Sequence, residues 1–106
     1  MAQTPEGKVK AAIKKFLASI GAWYCMPATG GYGSSGVPDF IVCRPVFVTQ
    51  SMVGTLMGEF IGIEAKAPGK KSNTTALQDM QIVGIHKAGG RAFVCDDISL
   101  LERYLT

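Results

Sequence analysis

Asp39 follows Pro38 at the head of one apolar run, and Glu64-Ala65-Lys66 closes another. Carboxylates are hard oxygen donors, and two of them, on neighbouring strands and facing one side, suit a divalent cation such as Mg²⁺, which keeps several of its own waters. Along residues 60–66 a period of two puts Phe60, Gly62, Glu64 and Lys66 on one face and Ile61, Ile63 and Ala65 on the other, so the acid and the ammonium point together. A lysine in that place can orient a metal-bound water or offset charge building on a phosphate. This is equipment for phosphodiester hydrolysis. Spacing alone leaves a second reading open, a surface ion pair among Asp39, Glu64 and Lys66 of little energetic weight.

The flanking sequence predicts the elements that carry these residues. Thr4-Pro5-Glu6 starts a helix, with threonine as N-cap and proline at the first helical position, and Gly21 ends it. Val9, Ile13, Phe16, Leu17 and Ile20 form its apolar stripe, and Glu6, three residues before Val9, falls on that stripe or at its edge. Residues 22–26 read as a short strand, 27–38 as a loop rich in glycine and serine, and 39–43 as an apolar strand. Residues 45–57 fit either a hairpin arm or an ordered loop. After the strand at 60–66, a turn over 68–73 leads to a helix capped by Thr74 or Thr75, with Leu77, Met80, Val83, Ile85 and Ala88 as its apolar surface up to Gly89-Gly90. A last strand at 92–95 and a short helix opened by Asp97 or Ser99 complete the order αβββαβα, an α/β class in a single domain over residues 1–106.

Composition narrows the partners. With 106 residues, 47% of them hydrophobic and 18% charged, the chain has too much apolar content for disorder and is short for two separate cores. The formal charge of +3 leans towards a polyanion, and Lys8, Lys10, Lys14, Lys15, Lys70, Lys71, Lys87, Arg44 and Arg91 are the candidate phosphate contacts. Cys25, Cys43 and Cys95 are odd in number, with no C-x-x-C pair, and read as small buried strand residues rather than zinc ligands or a disulfide framework. His86 has no partner at ligand spacing. Gly31-Tyr32-Gly33-Ser34-Ser35-Gly36 fits G-x-G-x-x-G, but Val37-Pro38 and a strand follow in place of a helix, so no nucleotide cofactor is expected. No apolar run nears the ~20 residues of a membrane span, and the first ten residues lack the apolar centre of a signal peptide, so the expectation is a soluble cytoplasmic protein.

Four stretches in order, Gly36-Val37-Pro38-Asp39-Phe40-Ile41-Val42, Phe60-Ile61-Gly62-Ile63-Glu64-Ala65-Lys66, Thr75-Ala76-Leu77-Gln78 and Ala88-Gly89-Gly90-Arg91-Ala92-Phe93-Val94, resemble the P-D…(D/E)-x-K pattern of the restriction-endonuclease-like nucleases. The likeness is closest to their VRR-NUC branch, the virus-type replication and repair nucleases, whose small stand-alone members include compact phage proteins. The resemblance implies a restriction-endonuclease-like core with a central mixed β-sheet flanked by helices. It also implies a Mg²⁺-dependent endodeoxyribonuclease, with Mn²⁺ as a substitute, acting on branched DNA such as Holliday junctions. Asp39, Glu64 and the Ala65 carbonyl would bind the metal, joined by Glu6 from the first helix as in related junction resolvases. Lys66 would assist the attacking water, and Gln78 would support Lys66 or a phosphate, with Gln81 one turn on as its competitor. Lys70, Lys71, Ser34 and Ser35 are the residues placed against DNA. The family's small members resemble resolvases in acting as homodimers, which fits the apolar residues Val46, Phe47, Met52, Val53, Leu56 and Met57 in a stretch, 44–59, longer than compact members carry.

Overall fold

The computed structural model describes residues 4–28, 36 and 38–105. They gather into two compact units, Met1–Phe47 and Val48–Thr106.

In the first unit, α1 (Pro5–Ser19) begins where its cap residues predict. Thr4 is extended at the N-cap and its Oγ1 accepts from the Gly7 N–H at 2.9 Å, while Pro5 occupies the position whose N–H would have no helical partner. The helix closes with two backbone bonds, Gly21 N–H to the Ala18 carbonyl at 3.2 Å and Ala22 N–H to the Leu17 carbonyl at 3.1 Å. That closure needs a left-handed residue, and Gly21 supplies it at φ +70°. The covered stripe runs through Lys10, Ile13, Leu17 and Ile20, with Leu17 buried, whereas Val9 and Phe16 of the expected stripe are exposed. β1 (Trp23–Cys25) pairs antiparallel with β2 (Ile41–Cys43), Tyr24 opposite Val42. Cys43 is buried there, and the Tyr24 and Phe40 rings lie 5.7 Å apart. Cys25, expected buried, is exposed at the end of its three-residue strand.

The second unit opens with a single 3₁₀ turn, Gln50–Met52, in an ordered loop, which decides between the two readings left open for this stretch. β3 (Ile61–Ala65) and β4 (Arg91–Cys95) pair in parallel, Glu64 opposite Val94. Between them in sequence, α2 (Ala76–Lys87) packs on the face that carries Gly62 and Glu64. The approach is close: a Cβ added at Gly62 would lie 2.8 Å from Ile85 Cδ1, and Ile85 and Ala88 are the buried residues of this unit. α2 ends as α1 does, with Gly89 at φ +90° and the Gly90 N–H on the Ile85 carbonyl. α3 (Ile98–Tyr104), capped by Asp97, packs on β4, and its Tyr104 stacks on Phe93 at 5.8 Å.

The order αβββαβα is the one predicted, and the class is α/β. The described strands form two two-stranded sheets, one antiparallel and one parallel, where a single central mixed sheet was expected. Local chemistry limits the first sheet. β2 is three residues long, its whole length is paired with β1, and Pro45 just beyond has no N–H with which to extend a ladder. No helix among the described residues is long and apolar enough to cross a membrane.

Candidate functional site

Alternation along β3 positions the first two groups. Glu64 is the fourth residue of the strand and Lys66 follows its end, so both emerge on the helix-facing side, in line with the period-two prediction. The Lys66 backbone N–H donates to the Cys95 carbonyl at 2.9 Å, which carries the ladder one residue past β3 and fixes where the side chain leaves. The Lys66 Nζ lies 3.6 Å from Glu64 Oε1, and the two side chains are 18% and 35% exposed.

Gln78 joins them. Its Nε2 donates to Glu64 Oε1 at 2.7 Å and its Oε1 accepts from Lys66 Nζ at 3.0 Å. The same Oε1 also accepts from the Thr75 backbone N–H at 3.0 Å, while Thr75 Oγ1 accepts from the Gln78 backbone N–H at 3.1 Å. This reciprocal pair is a capping box at the start of α2. It also fixes which way round the amide lies. A backbone N–H and an ammonium only donate, so both require oxygen, and an ionised carboxylate only accepts, so it requires the NH₂. Turning the amide over would set donors against donors on one side and acceptor against acceptor on the other.

The other predicted residues divide between the units. In the first, Glu6 lies in the opening turn of α1 with its side chain 77% exposed, beside the covered stripe rather than on it, and pairs with Lys10 at 3.6 Å. Asp39 stands in a bend ahead of β2, not within the strand, with its Oδ2 4.0 Å from the same Lys10 Nζ. In the second, Ala65 is the exposed last residue of β3, and Lys70 and Lys71 are exposed in the turns that follow, where the Lys71 N–H donates to Asp96 Oδ2 at 3.2 Å. Ser34 and Ser35, with the rest of Gly31–Ser35, lie outside the described residues.

Arg91 leaves the set of phosphate contacts. Its Nη2 donates to Glu59 Oε1 at 3.0 Å, its Nε lies 2.9 Å from Glu59 Oε2, both terminal nitrogens reach the Tyr104 carbonyl, and the guanidinium sits 5.4 Å from the Phe93 ring centre. A guanidinium held by Glu59 and the Tyr104 carbonyl braces β4 against α3. Sequence reasoning missed the double use of Gln78, as a capping residue and as the link between two charges; its one local signal was Thr-x-x-Gln. His86 accepts from the Ala92 N–H at 3.2 Å through Nε2, a structural contact at the entry to β4.

The donors suit a hard cation in kind. Among the described residues Glu64 Oε2 takes no hydrogen bond, because Gln78 and Lys66 both address Oε1. No group of three or more His, Cys, Asp or Glu side chains able to hold a metal occurs among the described residues. No family model, curated protein or solved structure matches the chain.

Proposed function

We propose that the chain is a metal-dependent DNA endonuclease of the restriction-endonuclease type, a single nuclease domain over residues 1–106 that acts in the cytoplasm on branched DNA such as four-way junctions. The observation that carries this reading is the Gln78 amide, which ties Glu64 to Lys66 at 2.7 and 3.0 Å beside a carboxylate oxygen that takes no hydrogen bond among the described residues. An acid and an ammonium held at one strand end, with two further lysines just downstream, match the needs of phosphodiester hydrolysis better than those of a surface ion pair.

Each residue has a distinct task. Glu64 would offer Oε2 to a divalent ion, Mg²⁺ or Mn²⁺, and the Ala65 carbonyl, Asp39 and Glu6 are assigned to metal binding by the resemblance to the restriction-endonuclease-like nucleases alone. Bound, such an ion lowers the pKa of its water and offsets charge on the phosphate. Lys66 keeps one N–H on Gln78 and has two left to orient the attacking water or meet a phosphate oxygen. Lys70 and Lys71 receive flanking phosphates, and their contacts carry no sequence preference. The exposed apolar side chains of Phe47, Val53, Leu56 and Met57 support a homodimer, which would give the two active sites needed for paired nicks.

A second reading, a non-catalytic nucleic-acid-binding module with the nuclease fold, draws support from the lack of a three-ligand cluster among the described residues. One experiment separates them. End-labelled four-way junction, matched duplex and single strand are incubated with the protein in Mg²⁺, Mn²⁺ or EDTA. Symmetric nicks in the junction alone, abolished by EDTA, are expected. Metal-dependent cutting of every substrate would retain the nuclease and remove the junction preference, and tight binding without cutting would favour the module.

A further inference from the structure

We infer that Thr75 is a positioning residue for the pair Glu64 and Lys66, an inference that rests on the nuclease reading for its catalytic consequence. In an ordinary capping box the side chain at the fourth position serves the helix end alone, and glutamate does this as well as glutamine. Here the same amide has three partners, and their geometry is set from the helix side. Thr75 Oγ1 holds the Gln78 backbone N–H at 3.1 Å, which fixes where the first turn of α2 begins. The Thr75 N–H then holds Gln78 Oε1 at 3.0 Å, leaving Nε2 with only one direction, towards Glu64 at 2.7 Å.

The threonine therefore reaches the charged pair through one side chain without touching either member. Without the hydroxyl, the Gln78 backbone N–H loses its acceptor, so the start of the first turn is no longer fixed relative to the Thr75 N–H that holds Oε1, and the Gln78 amide gains freedom to rotate. Lys66 then loses its fixed acceptor and Glu64 its fixed donor. Glutamine is required at 78 on this account, since glutamate would cap equally well but would present an acceptor to Glu64.

The test compares three variants of the full chain by two readouts, the side-chain amide resonances of Gln78 in ¹⁵N-labelled protein and the kcat and KM for metal-dependent cleavage of a four-way junction. Thr75→Ala is expected to lower kcat by about tenfold to a hundredfold with KM within about twofold, and to collapse the two Gln78 amide protons towards free-glutamine shifts and exchange. Thr75→Ser restores both readouts. Asp97→Ala removes a cap of the same kind from α3, where Asp97 Oδ1 accepts from the Ser99 N–H, and leaves both unchanged. Should Thr75→Ala fail to fold, Thr75→Gly removes the hydroxyl at a smaller cost to the helix start and takes its place. Gln78 amide resonances that stay as in the parent after loss of the hydroxyl overturn the inference, and so does an equal fall in kcat in Asp97→Ala. If the parent protein cuts nothing, the nuclease reading fails on its own, and the amide resonances still decide whether Thr75 positions Gln78.

Discussion

Each unit of the molecule sets a lysine close to acid, and the two clusters are built differently. In Glu6–Lys10–Asp39 the ammonium lies 3.6 and 4.0 Å from two acids whose side chains are 77% and 58% exposed. In Glu64–Gln78–Lys66 the acid and the ammonium also approach to 3.6 Å, but an amide stands between them with bonds of 2.7 and 3.0 Å, itself tied to a helix cap. Charges on long exposed side chains gain little from proximity, because water screens them and holding them costs rotamer freedom. A neutral linker with fixed donors and acceptors gives direction where attraction alone does not. The difference explains why Lys10 pairs loosely with two largely exposed acids while Lys66 has a defined orientation.

The comparison can be broken most directly with the lysine of the second cluster. Lys66→Ala is expected to lower kcat for metal-dependent DNA cleavage by about 10²–10⁴-fold while leaving the affinity for DNA near that of the parent, measured by cleavage and by anisotropy side by side. Gln78→Glu sharpens the point. It retains the capping box and an acceptor for Lys66 but sets a second carboxylate against Glu64, so kcat should fall about tenfold or more and Tm should drop at neutral pH.

Smaller effects test the frame around each cluster. Gly62→Ala brings a methyl to 2.8 Å from Ile85 Cδ1, under α2, and is expected to cost about 1–3 kcal/mol in denaturant melts because a buried side chain must move. Lys10→Ala should change stability by less than about 0.5 kcal/mol, and a larger loss would show that the first cluster is more than a screened surface pair.

Much of this was legible in local sequence. Thr4-Pro5, the threonines at 74 and 75 and the glycines at 21 and 89 marked the starts and ends of α1 and α2, and the alternation of residues 60–66 put Glu64 and Lys66 on one face, because caps and pleats depend on neighbours a few residues away. The side-chain partnerships were not legible in this way. Lys66 meets Gln78 twelve residues on, and Arg91 meets Glu59 thirty-two residues back. Sequence spacing left Gln78 and Gln81 as alternatives and put Arg91 among the phosphate contacts, until packing gave each a partner. The stripe of α1 shows the same division: its period was plain, but which residues are covered, Lys10 and Leu17 rather than Val9 and Phe16, depended on how the helix lies against the rest of its unit. The sequence by itself determined the elements, their order and the side of β3 that carries charge, since those follow from backbone chemistry over a few residues. Only the tertiary structure decided that the described strands pair as two small sheets and that an amide sits between acid and ammonium, because long-range pairing is chosen by the contacts left once the elements have packed.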